Sequence, residues 1–204
     1  MYYNMSGIPN RMLPVAVEML PEGYRRLEYL ENTGMQYIDS GVPYANDTCI
    51  ETTFEITKFA DGTHPALFGT EDSPNSPQAR FGALLYTNRV RWDYGSEMQT
   101  EYVSLELNTK YKLKKDGPDN YIDDVLISSN APSYFISGKN GLIFARVSNQ
   151  GRFIGKIYSF TISRAGEMQR NFTPCLDDKG VPCMFDTVTR RPFRNKGIGQ
   201  FLYG

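Results

Sequence analysis

Arg89, Arg91 and Asp93 stand two residues apart, with Tyr86 just before them and Trp92 among them. On an extended chain, residues two apart share a face. Two guanidinium groups and a carboxylate then lie side by side, as donors and an acceptor. Sugar hydroxyls present paired donors and acceptors, and aromatic rings supply flat faces. The chemistry this pattern suits is non-covalent sugar recognition. Arg89, Arg91 and Asp93 bridge hydroxyls, and Tyr86 or Trp92 stacks on the sugar ring. An ordinary solvated strand face carries the same residue types. Trp92 also shares its parity with Val90 and Tyr94, which makes it a candidate for the core.

Catalytic patterns are sparser. A retaining glycosidase needs two carboxyl groups about 5 Å apart, one as nucleophile and one as acid. The nearest approach is Glu51 and Glu55, with Thr53 midway, and a solvated strand face accounts for it. His64 is the single histidine and would have to serve any Ser-His-Asp triad, but nothing around it has the form of a nucleophile elbow. Cys49, Cys175 and Cys183 have no zinc-ligand spacing, and an odd number gives no complete disulfide framework. Cys175 and Cys183 could face each other across the intervening loop, and buried free thiols in a reducing cytosol are the plainer reading. Asp116, Asp119, Asn120, Asp123 and Asp124 cluster in sequence without a calcium-loop spacing, and turn formation explains them. Asp186 reads as a turn cap. No metal and no cofactor is expected.

The elements that must position these residues are strands. Thr48–Lys58 alternates Ile50, Thr52, Phe54 and Ile56 with Cys49, Glu51, Thr53, Glu55 and Thr57, a half-buried strand. Arg80–Tyr86 and Arg89–Tyr94 form a hairpin over Thr87-Asn88. In the last fifty residues Ile157, Ser159, Thr161 and Ser163 fall on one parity, and Tyr158, Phe160 and Ile162 on the other. Arg164–Glu167 is a hairpin turn, with strands returning over Met168–Phe172, Cys183–Asp186 and Arg191–Asn195. Further strands are expected at Ala66–Gly69, Glu101–Leu107, Tyr111–Lys115 and Leu142–Val147. Arg26–Glu31 and Met35–Ser40 read as a hairpin around Asn32-Thr33-Gly34. Tyr121–Ile127 reads as a hairpin whose Asp123-Asp124 replaces the usual Asn-Gly. Thr70–Gln78 and Ser129–Lys139 read as loops. Many short, turn-bounded strands without helical period mean an antiparallel sandwich.

Composition narrows the function classes. The chain has 204 residues and net charge −1, so it lacks the basic excess of a nucleic-acid binder. No run approaches the ~20 apolar residues of a membrane span, so no membrane insertion is expected. Met1–Met19 lacks the apolar core of a secretory signal and has no clean period. It reads as an arm that gains burial only against a partner, such as a sister subunit. The expected division is 1–19 arm and 20–204 sandwich.

Two stretches carry a family resemblance. Gly155–Gly204 contains G-K-I-Y-S-F-T-I, N-F-T-P-C and M-F-D-T-V-T-R-R-P-F-R-N-K-G-I-G-Q-F-L-Y-G, and Leu20–Gly41 reads LPEGYRRLEYLENTGMQYIDSG. Together they resemble the closing and opening signatures of concanavalin A-like (laminin-G-like) jelly-roll domains of phage and prophage tail proteins and gut-bacterial surface proteins. The resemblance frames about nine tenths of the chain. It implies an all-β antiparallel jelly-roll β-sandwich with its N- and C-terminal strands side by side. It implies a non-catalytic binding or structural module, foremost a virion protein of tail or fibre type. The arm would dock to sister subunits or other virion proteins, and the sandwich would meet host-surface glycans. A carbohydrate-binding domain of a bacterial surface or secreted protein is the alternative, and a glucanase-like hydrolase comes third. The glucanases of this fold carry Glu-x-Asp-x-Glu or Glu-x-Asp-x-x-Glu, which this chain lacks.

Overall fold

A computed structural model describes residues 20–60, 64–73, 76–147 and 152–204. The arm expected at Met1–Met19, and its docking role, lie outside the described residues. The strands are β1 (Arg25–Arg26), β2 (Leu30–Asn32), β3 (Ile38–Ala45), β4 (Thr48–Lys58), β5 (Ala66–Ser73), β6 (Ser76–Tyr86), β7 (Arg89–Gly95), β8 (Glu97–Glu101), β9 (Lys110–Asp116), β10 (Asp119–Ile122), β11 (Val125–Ser129), β12 (Ile136–Ile143), β13 (Ile154–Arg164), β14 (Glu167–Leu176), β15 (Pro182–Asp186), β16 (Arg191–Arg194) and β17 (Leu202–Tyr203). The described residues contain no helix.

Two antiparallel sheets form the sandwich. The larger runs β11-β10-β9-β4-β13-β14-β15-β16, with β1 on β14 and β2 held between β13 and β17. The smaller runs β3-β12-β5-β6-β7-β8. Alternation explains which side chains meet between them. Ile50, Phe54 and Ile56 of β4 are buried, as are Phe160 and Ile162 of β13. They face Phe68, Phe81, Trp92 and Ile143 of the smaller sheet, and the rings of Phe68 and Phe160 meet edge-on at 5.7 Å. Each such side chain contributes roughly 1.5–3 kcal/mol by leaving water.

Strands from the N- and C-terminal parts of the sandwich, β2 and β17, lie side by side as expected. Glu31 pairs with Leu202, and the backbone N–H groups of Glu28 and Tyr29 donate to the Gly204 carbonyl. The Arg164–Glu167 turn has Ala165 and Gly166 at φ 49° and 80°, the paired positive values of a primed hairpin turn. Asp123 and Asp124 adopt the same form at φ 49° and 64°, so Ile122 pairs directly with Val125. The Asp-Asp pair therefore closes a tight turn. Asp123 Oδ1 accepts the Lys112 N–H at 2.8 Å, and Asp124 pairs with the Lys112 ammonium at 2.8 Å.

Several expected elements differ. β2 and β3 do not pair, because the chain crosses from one sheet to the other between them. The buried Asn32 side chain shapes that crossing by accepting from Gly34 N and Gln36 N at 2.8 and 3.1 Å. The strand expected at Glu101–Leu107 lies earlier, at Glu97–Glu101, and Leu105 is a lone buried anchor beyond it. Thr70–Gln78 is largely strand, since β5 runs on to Ser73 and β6 starts at Ser76. Ser129–Lys139 likewise contains the start of β12. That strand ends at Ile143, where Phe144 takes φ 68°. Finally, Ile157 is buried together with Phe160 and Ile162, although the alternation placed it on the other face. The β13–β4 register shifts between Ile157 and Ser159, and a bulge inserts one residue and switches the parity.

The core also holds a charged side chain. Lys115 of β9 is fully buried between the sheets. Its Nζ lies 5.0, 5.2 and 5.8 Å from the ring centres of Phe81, Tyr94 and Trp92. It donates to Asn120 Oδ1 at 2.7 Å and Asn130 Oδ1 at 3.4 Å. Burial pulls this amine down to about 7, against the opposing pull of the Asp93 and Asp119 charges.

Candidate functional site

The outer face of the six-stranded sheet carries a buried lattice of charges. Parity aims Arg91 and Asp93 of β7 to that side, since Val90, Trp92 and Tyr94 fill the core. Glu71 of β5 and Arg80 of β6 join them from neighbouring strands, where they pair in register. The fifth member, Arg146, follows the left-handed Phe144. Its Nη1 lies 2.9 Å from Asp93 Oδ2 and its Nη2 3.0 Å from Glu71 Oε2. Arg80 Nε bonds Glu71 Oε1 at 2.8 Å. Arg91 Nη2 donates to Asp93 Oδ2 at 3.2 Å, and its Nε stands 2.9 Å from Asp93 Oδ1 as an ion pair.

Two glycines make room for this bridge. Gly69 and Gly82 pair across β5 and β6, and Gly82 in turn faces Asp93. A Cβ on Gly69 would come within 3.0 Å of Arg146 Cγ. The Arg146 side chain thus lies over the bare backbone of Gly69. A Cβ on Gly82 would sit 2.7 Å from the Phe68 carbonyl oxygen and 2.9 Å from Gly69 Cα. Gly82→Ala should therefore destabilise the fold by about 1–3 kcal/mol, as overpacking does. Urea unfolding is the check, and an unchanged midpoint would show that the strands can part at no cost.

His64 stands beside the lattice in a left-handed conformation, φ 74°. Burial, then the charges of Arg146 and Arg91, hold its imidazole below the usual value. Its Nδ1 is buried without a hydrogen-bond partner among the described residues.

The five residues expected to meet a sugar are divided by this arrangement. Trp92 is 0 % exposed and its ring lies in the core, so it has no surface for stacking. Asp93 is also 0 % exposed, and its oxygens are taken up by Arg91 and Arg146. Arg91 keeps only an exposed edge, 14 % of its side chain. Tyr86 and Arg89 remain at the surface, paired across the strand ends, with the guanidinium 4.7 Å from the ring centre. Glu71, Arg80 and Arg146 were not among the expected residues. The signal that could have found them is the glycine at positions 69 and 82, where a strand gives up side chains to admit a neighbour.

Several other carboxylates are engaged too. Glu55 of β4 accepts from Lys156 Nζ at 2.6 Å and Tyr158 Oη at 2.8 Å. Burial would raise its carboxyl, but these two hydrogen bonds outweigh it and leave the group below the usual range. The aspartates considered for calcium point to separate tasks. Asp116 pairs with Lys114 at 3.0 Å, Asp119 accepts from Ser129 Oγ at 2.6 Å, and Asn120 is turned inward to Lys115. Asp186 caps its turn, accepting Val188 N at 3.2 Å and Thr189 N at 3.1 Å. A separate pocket of about 260 Å³ lies among Val181, Pro182, Arg194, Asn195, Gly197, Gly199, Gln200 and Phe201. Its one charged wall, Arg194, is engaged by Asp177.

A scan against protein-family models finds no match to the chain, and a search of curated proteins finds none either.

Proposed function

We propose that the chain is a non-catalytic binding and structural module, a jelly-roll sandwich of the concanavalin A-like type carried by a phage or prophage virion protein of the tail or fibre type. The outer face of its six-stranded sheet meets host-surface glycans, with Tyr86, Arg89 and the exposed edge of Arg91 as the contact. Residues 1–19 join it to sister subunits or other virion proteins. The fold assignment is supported by the way successive strands leap between the two sheets and by the pairing of β2 with β17.

The observation that carries the non-catalytic reading is the occupation of the carboxylates. A glycosidase needs one carboxyl group that holds a proton for the leaving group. Glu71 and Asp93 are each held by two guanidinium groups, and Glu55 by an ammonium and a phenol. Groups fixed in this way rigidify a surface and are poor donors of a proton to a leaving group. The experiment is incubation with laminarin and lichenan, with native mass measured with and without residues 1–19. The expected result is no new reducing ends and an oligomer that the truncation reduces to a folded monomer. Sugar release that Glu55→Gln abolishes would overturn the non-catalytic reading. A truncated chain of unchanged oligomeric state would overturn the role given to residues 1–19.

A further inference from the structure

β14 and β15 place Cys175 directly opposite Cys183 in register. Both are fully buried, and their Sγ atoms lie 3.5 Å apart. Directly opposed residues on antiparallel strands have Cα atoms about 4.5–5.5 Å apart, inside the range a disulfide spans. The register therefore sets the two side chains at a spacing that suits a disulfide. The chain segment before β2 covers this pair. Leu20 and Tyr24 pack on Cys175, Cys183 and Phe185, with the Tyr24 and Phe185 rings edge-on at 5.5 Å. β1 then pairs Arg26 with Cys175 and Arg25 with Leu176.

We infer that Cys175 and Cys183 form a reversible cross-strand disulfide site, covered by the N-terminal strap Leu20–Arg26 and closed by a low-molecular-weight disulfide when the strap lifts. The hydrogen bond shared with Cys183 holds the Cys175 thiol below its ordinary value, against the pull of burial, and the exchange is written with Cys175 as the first nucleophile. Its thiolate attacks one sulfur of the oxidant, whose S–S bond breaks and releases one thiolate. Cys183 gives its proton to solvent and attacks Cys175 Sγ in the mixed disulfide, releasing the second thiolate. Two protein thiols are oxidised, the oxidant's disulfide is reduced to two thiols, and the protons end on those thiols. A virion protein made in a reducing cytosol would take up this bond after release. The chemistry itself stands independently of the glycan reading.

The test uses the full chain with Cys49→Ser, which removes the third thiol, and oxidised glutathione as the probe. The expected product has lost two hydrogens by intact mass, and a non-reducing peptide map joins the Cys175 and Cys183 peptides. Its urea midpoint rises and returns after dithiothreitol. Tyr24→Ala should form the bond several-fold faster, while Tyr24→Phe keeps the wild-type rate. Thiols that stay free in wild type and Tyr24→Ala alike would overturn the site. So would a mixed glutathione adduct that never resolves. Equal rates in wild type and Tyr24→Ala would overturn the cover.

Discussion

Replacing Arg146 by Met is expected to cost about 3–5 kcal/mol, because it removes one partner from a buried charge cluster and leaves the other charges under-compensated. Arg146 bridges Glu71 and Asp93, whose side chains are 4 % and 0 % exposed. Water cannot take over the lost interaction without opening the sheet face. Arg89 is the control, since it lies at the hairpin end against Tyr86 and outside the lattice. Arg89→Ala should stay within about 0.5 kcal/mol of wild type, as ordinary surface changes do. Urea unfolding of both variants gives the comparison. An Arg146→Met midpoint as close to wild type as that of Arg89→Ala would mean that the lattice is held by other groups.

The second large effect concerns pH. Lys115 titrates at about 7 in the fold and at the ordinary lysine value of 10.5 in the open chain. Between these values the unfolded chain holds a proton that the folded chain has shed, so stability rises with pH across that window. Below pH 7 both states are protonated and the burial cost is present in full. The difference could reach about 4–5 kcal/mol by linkage, an upper bound because three rings and two amide oxygens also support the ammonium. Lys115→Met should therefore lose the upward slope between pH 7 and 9. Its stability relative to wild type should be greatest at pH 6 and decline towards pH 9. Cys49, raised to about 11 by burial first, and the raised Tyr44 and Tyr158 phenols weaken the fold above pH 9, but they act equally in both proteins. Parallel stability curves for the two proteins from pH 6 to 9 would contradict a buried, titrating Lys115.

Much of the sandwich is legible in the sequence wherever one face is apolar and the other is wet. β4 reads correctly because Ile50, Phe54 and Ile56 alternate with polar residues. The Trp92 parity also reads correctly, since Val90 and Tyr94 share its side. Pattern reading fails where burial is not apolar. The end of β5 and the start of β6 read as a loop because Thr70–Gln78 is rich in Ser, Pro and Asn, yet Glu71 within it is buried in an ion pair with Arg80 on the outer face. Arg146 is illegible for a related reason. Its place depends on the left-handed turn at Phe144 and on a glycine brought alongside by strand pairing, neither of which leaves a periodic trace. The Ile157 face is misread because a bulge resets the alternation without changing composition. Of the candidate sugar contact, the hairpin itself was legible. That Asp93 is consumed by its strand neighbour Arg91 and by Arg146 from beyond β12 was not.

The proposed glycan contact is tested most directly by an array of bacterial-surface glycans probed with the assembled protein, beside Tyr86→Ala and Arg89→Ala. These two positions are chosen because Arg91 and Asp93 belong to the lattice, and changing them would confound binding with folding. Each neutral hydrogen bond adds only about 0.5–1.5 kcal/mol, so a single site is weak and retention depends on many copies acting together. The account predicts that a subset of glycans is held by the wild-type assembly and released by both variants, with unfolding midpoints unchanged. An array that retains no glycan, or one that holds both variants as firmly as wild type, would contradict it.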